Sequence, residues 1–144
     1  MYKSIVVGTD GSETAELAMR RAVALAGLTG ARLHVVSAYE PIPARVGGNQ
    51  PVAEAADWSI GADFKADAVL QRAEEIARSG GVEVEAHAPT SDAAAALVDV
   101  AKQHDADLIV LGSQGMHGAR RVLGSVPNKV SHRAPCDVLI VHTG

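Results

Sequence analysis

Two glycine-containing segments in the C-terminal third of the chain have the residue types of an anion-binding loop. The first reads Gly112-Ser113-Gln114-Gly115, and the second reads Gly124-Ser125-Val126. Glycine has no β-carbon and tolerates positive φ angles, so backbone N–H groups in such a loop can approach a phosphate closely. Ser125 is predicted to begin a helix, where free N–H groups and the helix dipole favour an anion. The alternative is structural, with glycines that turn the chain and a serine that caps the helix.

These segments lie within a strict alternation of short apolar runs and amphipathic helical patterns. The apolar runs predict five strands, and apolar residues repeating every 3.6 positions predict four helices. The continuously apolar run Leu108–Leu111 is typical of a central parallel strand covered on both faces. The predicted strands are 5–7, 33–39, 82–86, 108–111 and 138–141, and the predicted helices are 13–28, 66–79, a helix capped by Ser91 or Asp92, and 125–132.

The alternation predicts one domain, an open five-stranded parallel α/β sheet with helices on both faces and right-handed crossovers, as in Rossmann-like folds. Such sheets bind ligands outside the carboxyl ends of their strands. The candidate site is therefore formed by residues 9–12, 37–40 and 112–125. The segment Pro41 to Asp57, with three prolines and two glycines before residue 52, predicts a long surface loop.

Composition excludes several classes of protein. With 144 residues, 47% of them hydrophobic, the chain can bury a core. A formal net charge of −4 and an aromatic content of 3% argue against nucleic-acid binding. The single cysteine, Cys136, cannot form an internal disulfide and is interpreted as a packing residue. We expect no signal peptide, no membrane span and a cytoplasmic location.

Four segments of the chain resemble one known family. They are Gly8-Thr9-Asp10-Gly11-Ser12, the run from Asp107 to Ser113, Gly124-Ser125-Val126-Pro127, and the run from Ala134 to Val141. They are similar to the corresponding segments of universal stress protein domains, and the resemblance extends along the whole chain. It implies that residues 1–144 form one such domain, of the ATP-binding subgroup, with a fold like that of adenine nucleotide α-hydrolases.

The glycine motif matches that family with one departure. In nucleotide-binding members it reads Gly, two residues, Gly, nine residues, then Gly-Ser or Gly-Thr. Gly112 and Gly115 have the family spacing, but only eight residues separate Gly115 from Gly124. The shortening affects the part of the loop that would hold the terminal phosphates more than the part near adenine and ribose.

The resemblance also implies a role for individual residues. Asp10, with Thr9 beside it, aligns with an acidic residue near the adenosine moiety, although an Asp in this position also suits a local turn. Ala38 aligns with a position whose backbone contacts adenine. Gly112 would lie near the ribose. The expected nucleotide site comprises Thr9, Asp10, Ala38, Gly112, Ser113, Gly115, Gly124, Ser125 and Val126.

The implied function is a stress-response or signalling module that binds ATP, with Mg²⁺ held mainly by phosphates and water, or that binds cyclic AMP. No Gly-Lys-Ser or Gly-Lys-Thr follows a strand, so any hydrolysis is expected to be slow and no catalytic residue is predicted. We expect no metal ligands in the protein, because His117 and His132 have no carboxylate or cysteine at ligand spacing.

Other functions fit less well or depend on the shortened loop. The His-x-Gly-His motif of nucleotidyltransferases is absent, and a phosphorylated receiver domain would need an aspartate where the third strand ends in Glu85-Ala86-His87. The serious alternative is a dimeric scaffold that does not bind nucleotide. The apolar run 138–141 predicts an edge strand that is covered by the same strand of a second chain, as the family implies, and hence a homodimer.

Overall fold

The computed structural model describes residues 1–38, 52–113 and 125–142, with the backbone alone described for residues 52–65. These residues form five strands that alternate with four helices, in the predicted order. The strands are β1 (Ser4–Gly8), β2 (Arg32–Val36), β3 (Val84–His87), β4 (Leu108–Gly112) and β5 (Asp137–Val141). The helices are α1 (Glu13–Thr29), α2 (Val52–Ser79), α3 (Ala93–Gln103) and α4 (Ser125–Arg133).

The strands form a single parallel sheet in the order β3-β2-β1-β4-β5. The chain starts at the central strand, builds outward through β2 and β3, and then crosses to the other side of β1 for β4 and β5. The strand order therefore reverses between β1 and β4, and a crevice opens at their carboxyl ends. The predicted fold class is confirmed.

Each face of the sheet packs against its own pair of helices. Successive side chains of β1 point to opposite faces, so Ile5 and Val7 join the core under α1 and α2, whereas Val6 joins the core under α3 and α4. All three are fully buried. The strand β4 is buried from Leu108 to Leu111, as its continuously apolar sequence predicts.

Polar caps determine where two of the helices begin. The Ser12 hydroxyl accepts a hydrogen bond from the Ala15 N–H at 3.1 Å and starts α1. Asp92, one of the two predicted caps, accepts from the Ala95 N–H at 3.0 Å and starts α3. No helix of the described part of the chain has the length and apolar character needed to cross a membrane.

Three predicted boundaries are wrong. The predicted surface loop 41–57 is helical from Val52 onward, because the alanine-rich stretch after Pro51 favours a helix and a proline is tolerated just before one. Residues 39–51 lie outside the described residues. The predicted strand 33–39 ends at Val36, where its pairing with Gly8 ends. Val82, predicted to start the third strand, instead donates its N–H to the Ala77 carbonyl and closes the end of α2.

Candidate functional site

A cavity of about 180 Å³ opens at the carboxyl edge of the sheet, beside the point where the strand order reverses. Three parallel strands contribute the residues at or just beyond their ends: Thr9 after β1, Ala38 after β2 and Gly112 of β4. Ala93 and Leu97 of α3 form a further wall. The parallel sheet thus brings together residues that lie about a hundred positions apart in the sequence.

Three helices begin at this cavity. Ser12 and Ala15 belong to the start of α1, Ala93 is the first residue of α3, and Ser125 is the first residue of α4. The N-terminus of a helix carries a partial positive charge and directs backbone N–H groups outward. Three such termini around one cavity create an environment that favours a bound anion.

The lining combines an apolar interior with a polar rim. Val36, Leu97 and Leu111 are buried side chains that face the space, together with small residues that leave it open. Among the described residues that line the cavity, Asp10 has the only ionisable side chain. An arrangement of apolar walls with few polar groups is typical of small-molecule sites, where the polar groups orient the ligand.

The segment from Thr9 to Ser12 forms a tight turn between β1 and α1. The Asp10 carboxylate accepts a hydrogen bond from the Ser12 N–H at 2.9 Å, and the Thr9 hydroxyl accepts one from the Gly11 N–H at 3.1 Å. Gly11 has a φ of 84°, which glycine adopts without strain. Asp10 therefore stabilises the local turn, as one of the two sequence interpretations expects, and it also lines the cavity.

The structure brings six of the nine predicted site residues to the cavity: Thr9, Asp10, Ala38, Gly112, Ser125 and Val126. Ser113 directly follows β4 and does not line the cavity. Its N–H donates a hydrogen bond to the Val141 carbonyl at 2.8 Å. Gly115 and Gly124 lie outside the described residues, so the expected effect of their shortened spacing on phosphate binding stays a prediction.

Sequence reasoning did not identify the glycine and apolar residues that form the walls of the cavity. Gly8, Val36 and Leu111 belong to strand ends, whereas Ala93 and Leu97 belong to α3, whose apolar stripe, including Leu97, is predicted from the sequence as core and not as part of a site. The strand residues had a usable signal, because the end of every parallel strand meets the same edge. No signal in the sequence indicates that α3 packs over β1, since that position depends on tertiary packing.

Away from the cavity, three histidines and a glutamate lie close together on the α3 side of the sheet. His34 of β2 is 3% exposed and lies against His87 and His104. Burial, and then the neighbouring His104 and His87, lower the pKa of His34 from the ordinary 6.5 to about 4. Burial also lowers the pKa of His87, partly offset by the Glu85 charge. His34 is thus neutral at physiological pH.

Cys136 precedes β5 and is half-buried. Burial, and then the charges of Asp137 and Asp107, raise the pKa of its thiol. A raised pKa keeps the thiol protonated at neutral pH and hence a poor nucleophile. This environment supports the interpretation of Cys136 as a packing residue.

Comparison with known proteins identifies the family. The family model described as the universal stress protein family matches residues 1–142. The universal stress protein Rv1636 of Mycobacterium tuberculosis is 40% identical over 150 aligned positions, which cover 99% of this chain and 97% of that protein.

Two solved structures with similar folds hold nucleotides. A universal stress protein in complex with cAMP is 33% identical, with a TM-score of 0.75 over 99% of this chain and 98% of that one. A universal stress protein from Archaeoglobus fulgidus in complex with dAMP is 30% identical, with a TM-score of 0.71 over 96% and 97% of the two chains. The family model matches residues 1–142, and the Mycobacterium tuberculosis relative is 40% identical over nearly the whole chain. This chain therefore belongs to the universal stress protein family.

Proposed function

We propose that this chain is an adenine-nucleotide-binding module of the stress-response or signalling type. The observation that carries the proposal is the cavity at the sheet reversal, where three helix N-termini meet an apolar pocket. A nucleotide has complementary parts, because its base is flat and largely apolar on its faces and its phosphate is anionic. The cAMP and dAMP complexes of related proteins support the same assignment.

The charge distribution suggests how the nucleotide is oriented. The Asp10 carboxylate would repel a phosphate but accepts hydrogen bonds from ribose hydroxyls or an adenine amino group. Ser125 starts α4, whose N-terminus attracts phosphate. We therefore place adenosine between Asp10 and Ala38 and the phosphate toward Ser125. At about 180 Å³ the described cavity is smaller than the roughly 300–1,000 Å³ of typical ligand sites, so the phosphates extend out of it.

We propose ATP as the ligand, accompanied by Mg²⁺ coordinated by phosphates and water. The cavity lining is consistent with a site that binds ATP without hydrolysing it efficiently. Among the described lining residues, Asp10 has the only ionisable side chain, and its carboxylate already accepts a hydrogen bond from the Ser12 N–H. A phosphoryl transfer would need cationic groups or metal ligands directed at the phosphates. The nucleotide would act as a signal that stabilises one conformation or one set of partners.

Calorimetric titration of nucleotide-stripped protein tests the proposal. ATP, ADP, AMP and cyclic AMP are each titrated with and without Mg²⁺. We expect one site per chain with micromolar affinity for at least one of them, and tighter ATP binding in the presence of Mg²⁺. Absence of heat with all four, together with an unchanged melting temperature, would overturn the proposal and favour a scaffold that does not bind nucleotide.

We further propose a homodimer formed through β5. This strand is at the edge of the sheet, paired with β4 on one side, and its residues Val138 to Ile140 are only partly buried. An apolar edge strand promotes aggregation unless something covers it, and the same strand of a second chain is complementary to it. Light scattering at micromolar concentration should give the mass of two chains. A mass of one chain would contradict the dimer.

A further inference from the structure

The strands β2 and β3 and the end of α3 bring four potential metal ligands together. His34 pairs in register with Glu85, and Glu85 and His87 point to the same face because they are two residues apart on β3. His104 is the C-cap residue that directly follows α3. One ligand atom from each of these four residues lies within 4.8 Å of the others.

Among His34, Glu85 and His87, the distances between ligand atoms are close to the edges of a metal coordination tetrahedron, and His104 offers a further nitrogen within 4.8 Å. His34 Nδ1 lies 3.1 Å from His87 Nε2 and 3.3 Å from Glu85 Oε2, and the latter two atoms are 3.9 Å apart. Zinc binds histidine nitrogen and carboxylate oxygen at about 2.0–2.2 Å, so tetrahedral ligands stand roughly 3.3–3.5 Å from each other. Three of the four ligand atoms therefore need shifts of only a few tenths of an ångström to hold an ion.

Donor chemistry selects the class of metal. Three imidazoles and one carboxylate suit zinc and its transition-metal neighbours, whereas Mg²⁺ and Ca²⁺ prefer oxygen ligands. The C-terminus of α3, which His104 caps, contributes a partial negative charge that also favours a cation. The Glu85 side chain is 43% exposed, which leaves a path for the ion to enter.

A purely structural role accounts for this cluster less well. Core positions of a sheet are usually apolar, yet His34 is buried beside two other histidines whose rings stand 5.3 and 4.2 Å from its own. Without an ion, His34 Nδ1 and His87 Nε2 can share at most one proton in a hydrogen bond, and His34 stacks on His104. A bound cation would satisfy all three rings and the carboxylate at once.

We propose that His34, Glu85, His87 and His104 form a binding site for a divalent transition-metal ion, with Zn²⁺ the best match. None of the four lines the cavity proposed for the nucleotide, so the metal site is separate from it. This proposal departs from the sequence-based expectation of no metal ligands, which rested on His117 and His132.

Metal titration of the full-length, chelator-treated and nucleotide-free protein tests the site. At pH 7.5 we expect calorimetry to show one Zn²⁺ per chain at micromolar or tighter Kd and the melting temperature to rise with Zn²⁺. Excess Mg²⁺ should not compete. Co²⁺ should give the intense visible absorption of a tetrahedral complex.

Two single variants assign the ligands. Glu85→Gln and His87→Gln change partly exposed side chains at the sheet edge, so both should fold, and each should weaken Zn²⁺ binding by about 100-fold or more. His132→Gln, at an exposed position of α4, is the control and should bind as the wild type does. Absence of Zn²⁺ binding, or equal affinity in the wild type and both cluster variants, would overturn the proposal.

Discussion

Gly8, the last residue of β1, lies directly against Leu97 of α3: a β-carbon at position 8 would stand 3.1 Å from both Cδ atoms of that leucine. Both residues line the proposed nucleotide cavity. A contact of 3.1 Å is tighter than carbon atoms normally tolerate, so the leucine would have to turn, and the open space next to it is the cavity itself. The absence of a side chain at Gly8 therefore keeps the pocket open.

Gly8→Ala should narrow the site without unfolding the protein. We expect nucleotide affinity to fall about tenfold, while the free energy of unfolding changes by about 1 kcal/mol or less because Leu97 can move into free space. Calorimetry and urea denaturation measure the two quantities. The control is Gly27→Ala, at an exposed position of α1 where an added β-carbon meets nothing within 4 Å. It should raise stability by about 0.5–1 kcal/mol and leave affinity unchanged.

Gly11→Ala should destabilise the turn that carries Asp10. The φ of 84° strains any residue with a β-carbon, and that carbon would also stand 2.8 Å from Cγ2 of Val69. We expect a loss of about 1–3 kcal/mol in urea denaturation. In a Val69→Ala background the clash is removed, so Gly11→Ala should there cost only the backbone strain of about 1 kcal/mol. Equal costs in both backgrounds would contradict the clash.

Asp10→Asn should separate the two roles of Asp10. Asparagine retains an oxygen that accepts the Ser12 N–H, so the turn and the free energy of unfolding should be nearly unchanged. It removes the negative charge, which should weaken hydrogen bonds from the nucleotide and lower affinity about tenfold. Asp10→Ala should lower both affinity and stability. If Asp10→Asn binds nucleotide with wild-type affinity, Asp10 contributes only to the turn and not to nucleotide binding.

The buried His34 should make the metal-free protein sensitive to mild acid. The unfolded chain protonates this histidine near pH 6.5, whereas the folded chain does so near pH 4. Between these values the unfolded state binds more protons, so the free energy of unfolding falls as pH is lowered through this window. At about 1.4 kcal/mol per pKa unit the loss is about 3 kcal/mol at most. His87 acts in the same direction, since its pKa is also lowered.

Urea denaturation in the presence of a chelator, from pH 7 to pH 5, measures this effect. Burial is the main cause of the lowered pKa of His34; among the groups that face it, His104, His87 and Arg32 also disfavour the charged form, and Glu85 favours it. His34→Gln should flatten the pH dependence, whatever its effect on stability at pH 7. A wild-type stability that stays constant or rises on acidification would contradict the buried neutral histidine.

The fold was predictable because the signals for a parallel α/β sheet are local. Runs such as Leu108–Leu111 are apolar throughout since both faces of the strand are covered, and Asp92 marks a helix start by its side-chain chemistry. The start of α2 was not predictable in the same way. Prolines and glycines up to residue 51 indicated a loop, and the helix-favouring alanines that follow were included in it.

The polar rim of the candidate site was predictable, but its apolar walls and the histidine cluster were not. Thr9 directly follows β1 and Gly112 is the last residue of β4, and parallel strands bring their carboxyl ends to one edge. The histidine cluster depends on the register of β2 against β3 and on the place where α3 ends. The nearest signal was a histidine inside an apolar strand, His34, together with Glu85 and His87 at alternate positions of another strand. Their proximity follows only from the strand order.

The most direct measurement is a calorimetric titration of ATP and cyclic AMP into two matched variants, Ala93→Phe and Ala95→Phe. Both alanines are half-buried in the first turn of α3, but only Ala93 lines the cavity. A phenyl ring at position 93 would occupy the space proposed for adenosine, so we predict that affinity falls at least tenfold, or about 1.4 kcal/mol. Ala95→Phe should bind as the wild type does. Unchanged affinity in Ala93→Phe, with the variant folded, would contradict nucleotide binding in this cavity.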